Sequence, residues 1–111
     1  MTAAATAPET LAPRPMRVAA VRPEGEDVAT LVLDAGPAGF PYAPGQFVML
    51  SRFGVGEVPI SISGGGGADG AETLHLTVRA VGAVTARLLA AEPGTWLGVR
   101  GPFGTRWPVG A

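Results

Sequence analysis

The chain has 111 residues, 47% of them hydrophobic and 15% charged, which suffices for one modest core and excludes the disordered class. Its net charge of −1, with eight basic residues scattered singly, leaves no stripe that could track a phosphate backbone, so nucleic acid is not an expected partner. With no cysteine there can be no disulfide framework, no thiolate nucleophile and no iron–sulfur ligation by this chain itself.

Seventeen glycines and eleven prolines favour short strands joined by turns over long helices. Residues 1–15 are Ala, Thr and Pro around a lone Glu9, without the basic start or apolar run of a secretory signal, and read as a disordered leader on a cytoplasmic protein. No apolar run approaches the roughly eighteen residues of a membrane span, so membrane insertion is not expected.

Taken in order, Met16–Val21 and Val28–Leu33 are β-branched, apolar blocks separated by a turn at Arg22–Glu26, and predict a hairpin. Asp34–Pro44 is dense in Gly, Pro and Ala and reads as a connecting loop. Gln46–Arg52 predicts a third strand, Phe53–Gly56 a turn, and Val58–Ser63 a fourth strand in which Pro59 demands an edge or a bulge. Gly64–Gly70 reads as a hairpin tip. Thr73–Val81 then alternates Leu74, Leu76 and Val78 against His75, Thr77 and Arg79, the period of a half-buried strand. Thr85–Ala91 predicts the one helix, with Thr85 as N-cap and Pro93-Gly94 as its stop, and Trp96–Arg100 a last strand ending at the turn Gly101–Gly104.

Two segments offer chemistry. The strand, Gly-containing turn and helix start over Val78–Thr85 present unpaired N–H groups and a hydroxyl at a positive helix end, which suits a diphosphate, and Arg79 could add a charge-assisted contact. A capped helix after a strand needs no ligand, and that plainer reading is the weightier one for this segment alone. Pro59-Ile60-Ser61 offers a rigid backbone, an apolar side chain and a small hydroxyl, suited to an aromatic ring with a polar edge, but equally to a bulged edge strand.

Joined with Pro44-Gly45-Gln46-Phe47 and Gly101-Pro102-Phe103-Gly104, in this order and spacing, these segments resemble the FAD-binding barrel of the ferredoxin–NADP reductase superfamily. The resemblance covers residues 16–108 and is nearest to flavin subunits of hydrogenases and sulfite reductases and to the electron-transfer subunit of dihydroorotate dehydrogenase. Gln46-Phe47-Val48-Met49, Gly54-Val55-Gly56-Glu57 and Gly101-Pro102-Phe103-Gly104 carry that nearer match.

The resemblance implies an all-β fold, an antiparallel Greek-key six-stranded β-barrel with one short α-helix. It places the isoalloxazine-binding motif on Val58-Pro59-Ile60-Ser61, with Ser61 by the redox-active edge of the ring and Ile60 against its face. It places the phosphate-binding motif on Gly82-Ala83-Val84-Thr85, with Thr77, Val78 and Arg79 along the ribityl and diphosphate path. Val58 stands where many relatives carry an arginine, which leaves more charge for Arg79 and the helix end to neutralise.

The function so implied is an oxidoreductase module whose FAD passes electrons between NAD(P)H and a one-electron carrier such as an iron–sulfur centre. The implied partners are a nicotinamide-binding domain or iron–sulfur and hydrogenase-type subunits; residues 109–111 form a tail, the nicotinamide-binding domain is expected to be absent, and the module to be incomplete as an enzyme on its own. The competing reading is a flavin-free barrel that docks within a multisubunit redox complex. Among single residues, His75, Asp34 and Glu57 read as surface or turn residues, with Glu57 open to tuning the site beside the flavin motif, and Trp96 and Trp107 as core or loop-anchoring aromatics, with Trp107 open to a role over the adenine or at an interface.

Overall fold

A computed structural model describes residues 12–66 and 72–104. Six strands, β1 (Arg14–Gly25), β2 (Val28–Asp34), β3 (Phe47–Arg52), β4 (Gly56–Gly66), β5 (Thr73–Arg79) and β6 (Trp96–Phe103), and one helix, α1 (Ala83–Leu89), make up the regular structure of that part. The strands close into an antiparallel barrel in the order β1-β2-β5-β4-β3-β6, with β6 pairing back onto β1. The expected all-β barrel with one short helix is the fold observed.

Period-two alternation explains the filling of the barrel. Met16 and Val18 of β1, Leu31 and Leu33 of β2, Val48 and Leu50 of β3, Leu74, Leu76 and Val78 of β5, and Leu97 and Val99 of β6 all point inward into one core cluster. Leu88 of α1 joins them with no exposed surface, and Ala91 just beyond the helix is also buried, so one side of α1 is packed against the barrel core.

Several boundaries differ from the sequence reading, each for a local reason. β1 begins at Arg14, inside the stretch expected as leader, because Arg14 and Pro15 pair with Val99 and Gly98 of β6; residues 1–11 lie outside the described part. It also runs on to Gly25, through two bulges at Ala19 and Glu24, and the hairpin closes on Glu26 and Asp27 alone, with Asp27 at φ 62°. Pro23 is tolerated because the β1–β6 pairing stops at Arg17, leaving this part of β1 with one ladder partner, where a missing donor costs little. β4 likewise extends through Gly64–Gly66, expected in the tip, whereas β5 stops at Arg79 instead of Val81. The remainder of the expected tip, and the tail from residue 105, are outside the described residues.

The segments Pro44–Phe47 and Gly101–Gly104 meet. The Gln46 amide accepts from Ala43 N–H (2.9 Å) and donates to Gly104 C=O (3.0 Å), and the Phe47 and Phe103 rings lie 5.7 Å apart. Their work in the fold is to stitch the β2–β3 connection to the end of β6.

Candidate functional site

The β4–β5 ladder runs from Ile62–Leu76 to Gly66–Thr73. Among the described residues no ladder pair joins the first half of β4, Gly56–Ser61, to the end of β5, Thr77–Arg79. Two strand edges thus face a seam in the barrel wall, and α1 begins three residues beyond it. On the outer side of this seam the alternation turns Pro59, Ser61 and Ser63 of β4 and His75, Thr77 and Arg79 of β5 outward. Unpaired backbone groups next to outward hydroxyls and a cation can recognise a flat, polar-edged ligand.

The helix start is organised by Thr85, though not as predicted. Gly82 is the N-cap, in extended backbone, and Thr85 stands three residues later as part of the first turn. The Thr85 hydroxyl accepts from the N–H groups of Val81 (2.9 Å) and Gly82 (3.0 Å) and donates to Gly82 C=O (3.1 Å). A hydroxyl has one proton and two acceptor positions, so this one is fully used and has no proton to give a phosphate. What remains for an anion is the backbone N–H of Ala83 and Val84, with Gly82 exposed and open space where its side chain would stand.

Ile60 and Val78 take the inward positions of β4 and β5. Ile60 is 9% exposed and Val78 is fully buried, both within the core cluster, because each sits at an inward position of its strand. Only their backbones face the seam. Val58 and Val84 are half-buried, and the Val84 Cγ2 lies 2.9 Å from where a Cβ on Gly56 would stand, so α1 is seated against the β3–β4 turn through a glycine. The structure thus gathers Pro59, Ser61, Thr77, Arg79 and Gly82 toward the seam and assigns Ile60, Val78, Val84 and Thr85 to packing and support.

Sequence reasoning missed Ser63. A register shift between Ile62 and Gly64 leaves Ser63 as the extra residue of a β-bulge, and its hydroxyl donates to His75 C=O (3.1 Å) and meets that of Thr77 (3.0 Å). A Gly-rich stretch is a weak bulge signal and was the only one available. Glu57 is tied to Arg100 by two contacts, Nε to Oε2 at 2.8 Å and Nη2 to Oε1 at 2.9 Å, across the intervening β3. The Arg100 guanidinium holds the Glu57 carboxyl below the ordinary carboxylate range. Trp96, expected as a core or loop anchor, is 49% exposed with the Arg17 guanidinium over its ring at 4.8 Å. Trp107 lies outside the described residues. A cleft of about 560 Å³ between Pro13, Phe40, Val99 and Pro102 contains none of the expected site residues.

His75 is a structural residue of that face. Its Nδ1 faces Arg22 Nη2 at 3.4 Å and its Nε2 faces Thr73 Oγ1 at 3.1 Å, which fits a neutral ring protonated on Nε2. Burial, and secondarily the Arg22 charge, push the imidazole below its ordinary value of 6.5. The folded chain then takes up this proton less readily than the unfolded chain. Stability should therefore be intact above pH 6.5 and fall as pH drops through 6.5 toward the lower folded value. Urea midpoints measured between neutral and mildly acidic pH should decline over that window, and His75→Gln should flatten the decline; an unchanged slope in the variant would contradict this assignment.

No family model matches the chain. It is 39% identical over 80 residues to the probable dihydroorotate dehydrogenase B (NAD(+)) electron transfer subunit of Archaeoglobus fulgidus, a match covering 72% of this chain and 30% of the relative. It is 44% identical over 68 residues to the sulfhydrogenase 1 gamma subunit of Pyrococcus furiosus, covering 61% of this chain and 23% of that subunit. Among solved structures, an NADH-dependent reduced ferredoxin-NADP oxidoreductase superposes with a TM-score of 0.73 at 22% identity, over 83% of this chain and 33% of that one. The chain has the fold of a ferredoxin-reductase barrel domain. Phthalate dioxygenase reductase shares that barrel at a TM-score of 0.66 and 13% identity, over 84% of this chain and 30% of the reductase. The match spans about a third or less of each of these proteins. Among the described residues, no helix is long and apolar enough to cross a membrane.

Proposed function

We propose that this barrel holds FAD across the seam between β4 and β5, as the flavin module of an oxidoreductase that passes electrons between NAD(P)H and a one-electron carrier such as an iron–sulfur centre. The observation that carries the reading is the pair of unpaired strand edges, Gly56–Ser61 and Thr77–Arg79, which leaves backbone donors and acceptors beside Ser61 and Arg79. The relatives are named as electron transfer and hydrogenase subunits, which supports an electron-transfer role here and iron–sulfur or nicotinamide-binding partners.

Bound flavin would supply the exchange between two-electron hydride and one-electron chemistry. The chain's own residues bind and orient. The Ser61 hydroxyl has no partner among the described residues and can donate to an acceptor on the ring edge. Pro59 gives a rigid, exposed surface beside it. Arg79, with the N–H groups of Ala83 and Val84, supplies the positive end for a diphosphate, the charge that Val58 does not provide.

Arg79→Ala should weaken FAD binding by about 10-fold or more, the scale of one lost hydrogen bond to a charged group. Fluorescence titration of the folded variant checks this. An unchanged dissociation constant would remove Arg79 from the diphosphate site. Thr85→Ala is the less informative substitution, because its hydroxyl supports the helix start and its loss acts on the fold first.

A further inference from the structure

The mouth of the barrel at the start of β1 carries an arginine where the pleat calls for an apolar residue. Arg14 pairs with Val99, and directly paired residues of an antiparallel ladder share a face. Val99 is buried in the core cluster, so Arg14 stands on the inner side, at the next inward position after Met16. Its guanidinium reaches the β2–β3 connection, donating to Ala35 C=O and to Gly39 C=O (3.1 Å). Both acceptors are neutral. Among the described residues Arg14 has no carboxylate partner, and three of its five N–H groups have no acceptor. The near carboxylate, Asp34, lines an adjoining cleft with Arg17 and Trp96 and accepts from Gly36 N–H (2.9 Å).

The cleft of about 560 Å³ opens beside this guanidinium, walled by Pro13, Phe40, Pro41, Val99 and Pro102. Val99 belongs to the core cluster and Phe40 packs against it, so the floor of the cleft is the apolar end of the barrel core. The volume lies within the roughly 300–1,000 Å³ of small-molecule sites, which combine apolar walls with a few fixed polar groups. Here the walls call for an apolar body, and the one cation calls for a group that accepts two parallel N–H donors, as a carboxylate does. We infer that the barrel mouth is a second ligand site, for a small monocarboxylate with an apolar body, whose carboxylate closes on Arg14. None of the seam residues lines it, so the inference goes beyond the flavin reading and stands independently of it. A ligand there would bridge β1, the β2–β3 connection and the end of β6, and should raise the unfolding midpoint as its concentration rises.

The test titrates the full chain with octanoate, octylammonium and acetate by calorimetry. Octanoate should bind saturably, with a dissociation constant of about 1 mM or below. Octylammonium keeps the body and reverses the charge, and acetate keeps the carboxylate and removes the body; each should bind about 10-fold more weakly or worse. Arg14→Gln should weaken octanoate about 10-fold or more, whereas Arg17→Gln, on the outer side of the same strand beside exposed Trp96, should leave it unchanged. Thermal unfolding shows whether each variant keeps the barrel, and the three-ligand comparison on the unsubstituted chain decides alone should Arg14→Gln fail to fold. No saturation by octanoate up to about 10 mM, ten times the expected constant, would overturn the proposal. Octylammonium or acetate binding as tightly as octanoate, or unchanged binding in folded Arg14→Gln, would overturn it too. So would an equal loss in Arg17→Gln, which would move the ligand to the cleft at Trp96.

Discussion

Leu88→Ala should lower the unfolding free energy by about 2–5 kcal/mol, the range for truncating a fully buried leucine in a packed core. Leu88 has no exposed surface and belongs to the barrel's own cluster. A helix of seven residues has little stability of its own, so α1 exists because Leu88 and its neighbours are buried against the barrel. The truncation should therefore loosen the whole segment from Gly82 to Ala90 and weaken FAD binding as well as the fold. Leu88→Met, which conserves volume, should cost less than about 1.5 kcal/mol. Urea unfolding of the two variants decides the matter: similar midpoints for both would mean that α1 is not held by this side chain.

Gly65→Ala should cost about 2–4 kcal/mol, from backbone strain together with a collision that the strand cannot relieve. Gly65 has φ +144°, which side-chain-bearing residues rarely adopt, and a Cβ there would lie 2.6 Å from the Thr73 carbonyl oxygen and 3.3 Å from the Leu74 Cα. Both are backbone atoms of the paired strand and cannot swing aside. Gly25→Ala is the matched control, because nothing lies within 4 Å of its would-be Cβ, and it should stay within about 1 kcal/mol of the parent. Because Gly65 lies next to the bulge that aims Ser63, Gly65→Ala should also weaken binding of a ligand on that face. Equal midpoints for the two alanine variants would contradict the account of Gly65.

Alternation made the core legible. Leu74, Leu76 and Val78 are readable as an inward row, and the six-stranded antiparallel barrel then follows from the resemblance carried by the four motif segments. Local punctuation was less reliable where tertiary pairing overrides it. Pro23 looked like a turn and is strand, and Gly64–Gly66 looked like a tip and is paired with Thr73–His75. Thr85 reads as the N-cap from its hydroxyl at a helix start, yet the N-cap is Gly82, three residues earlier, and the Thr85 hydroxyl is spent on the backbone of that first turn.

The face of each side chain was the harder question at the site. Ile60 was expected against a ring because of its place in a motif, and the pleat turns it into the core. The Ser63 bulge and the Glu57–Arg100 pair depend on register between strands far apart in sequence, which no local pattern encodes.

The central claim is that this barrel holds FAD, and the most direct measurement is the visible absorbance of the purified chain after FAD addition and desalting. Retained flavin near one equivalent, reduced in Arg79→Ala, is the predicted result. A correctly folded chain that retains no flavin and shows no saturable FAD binding at concentrations of tens of micromolar would contradict it, and would favour a flavin-free barrel that docks within a larger redox assembly.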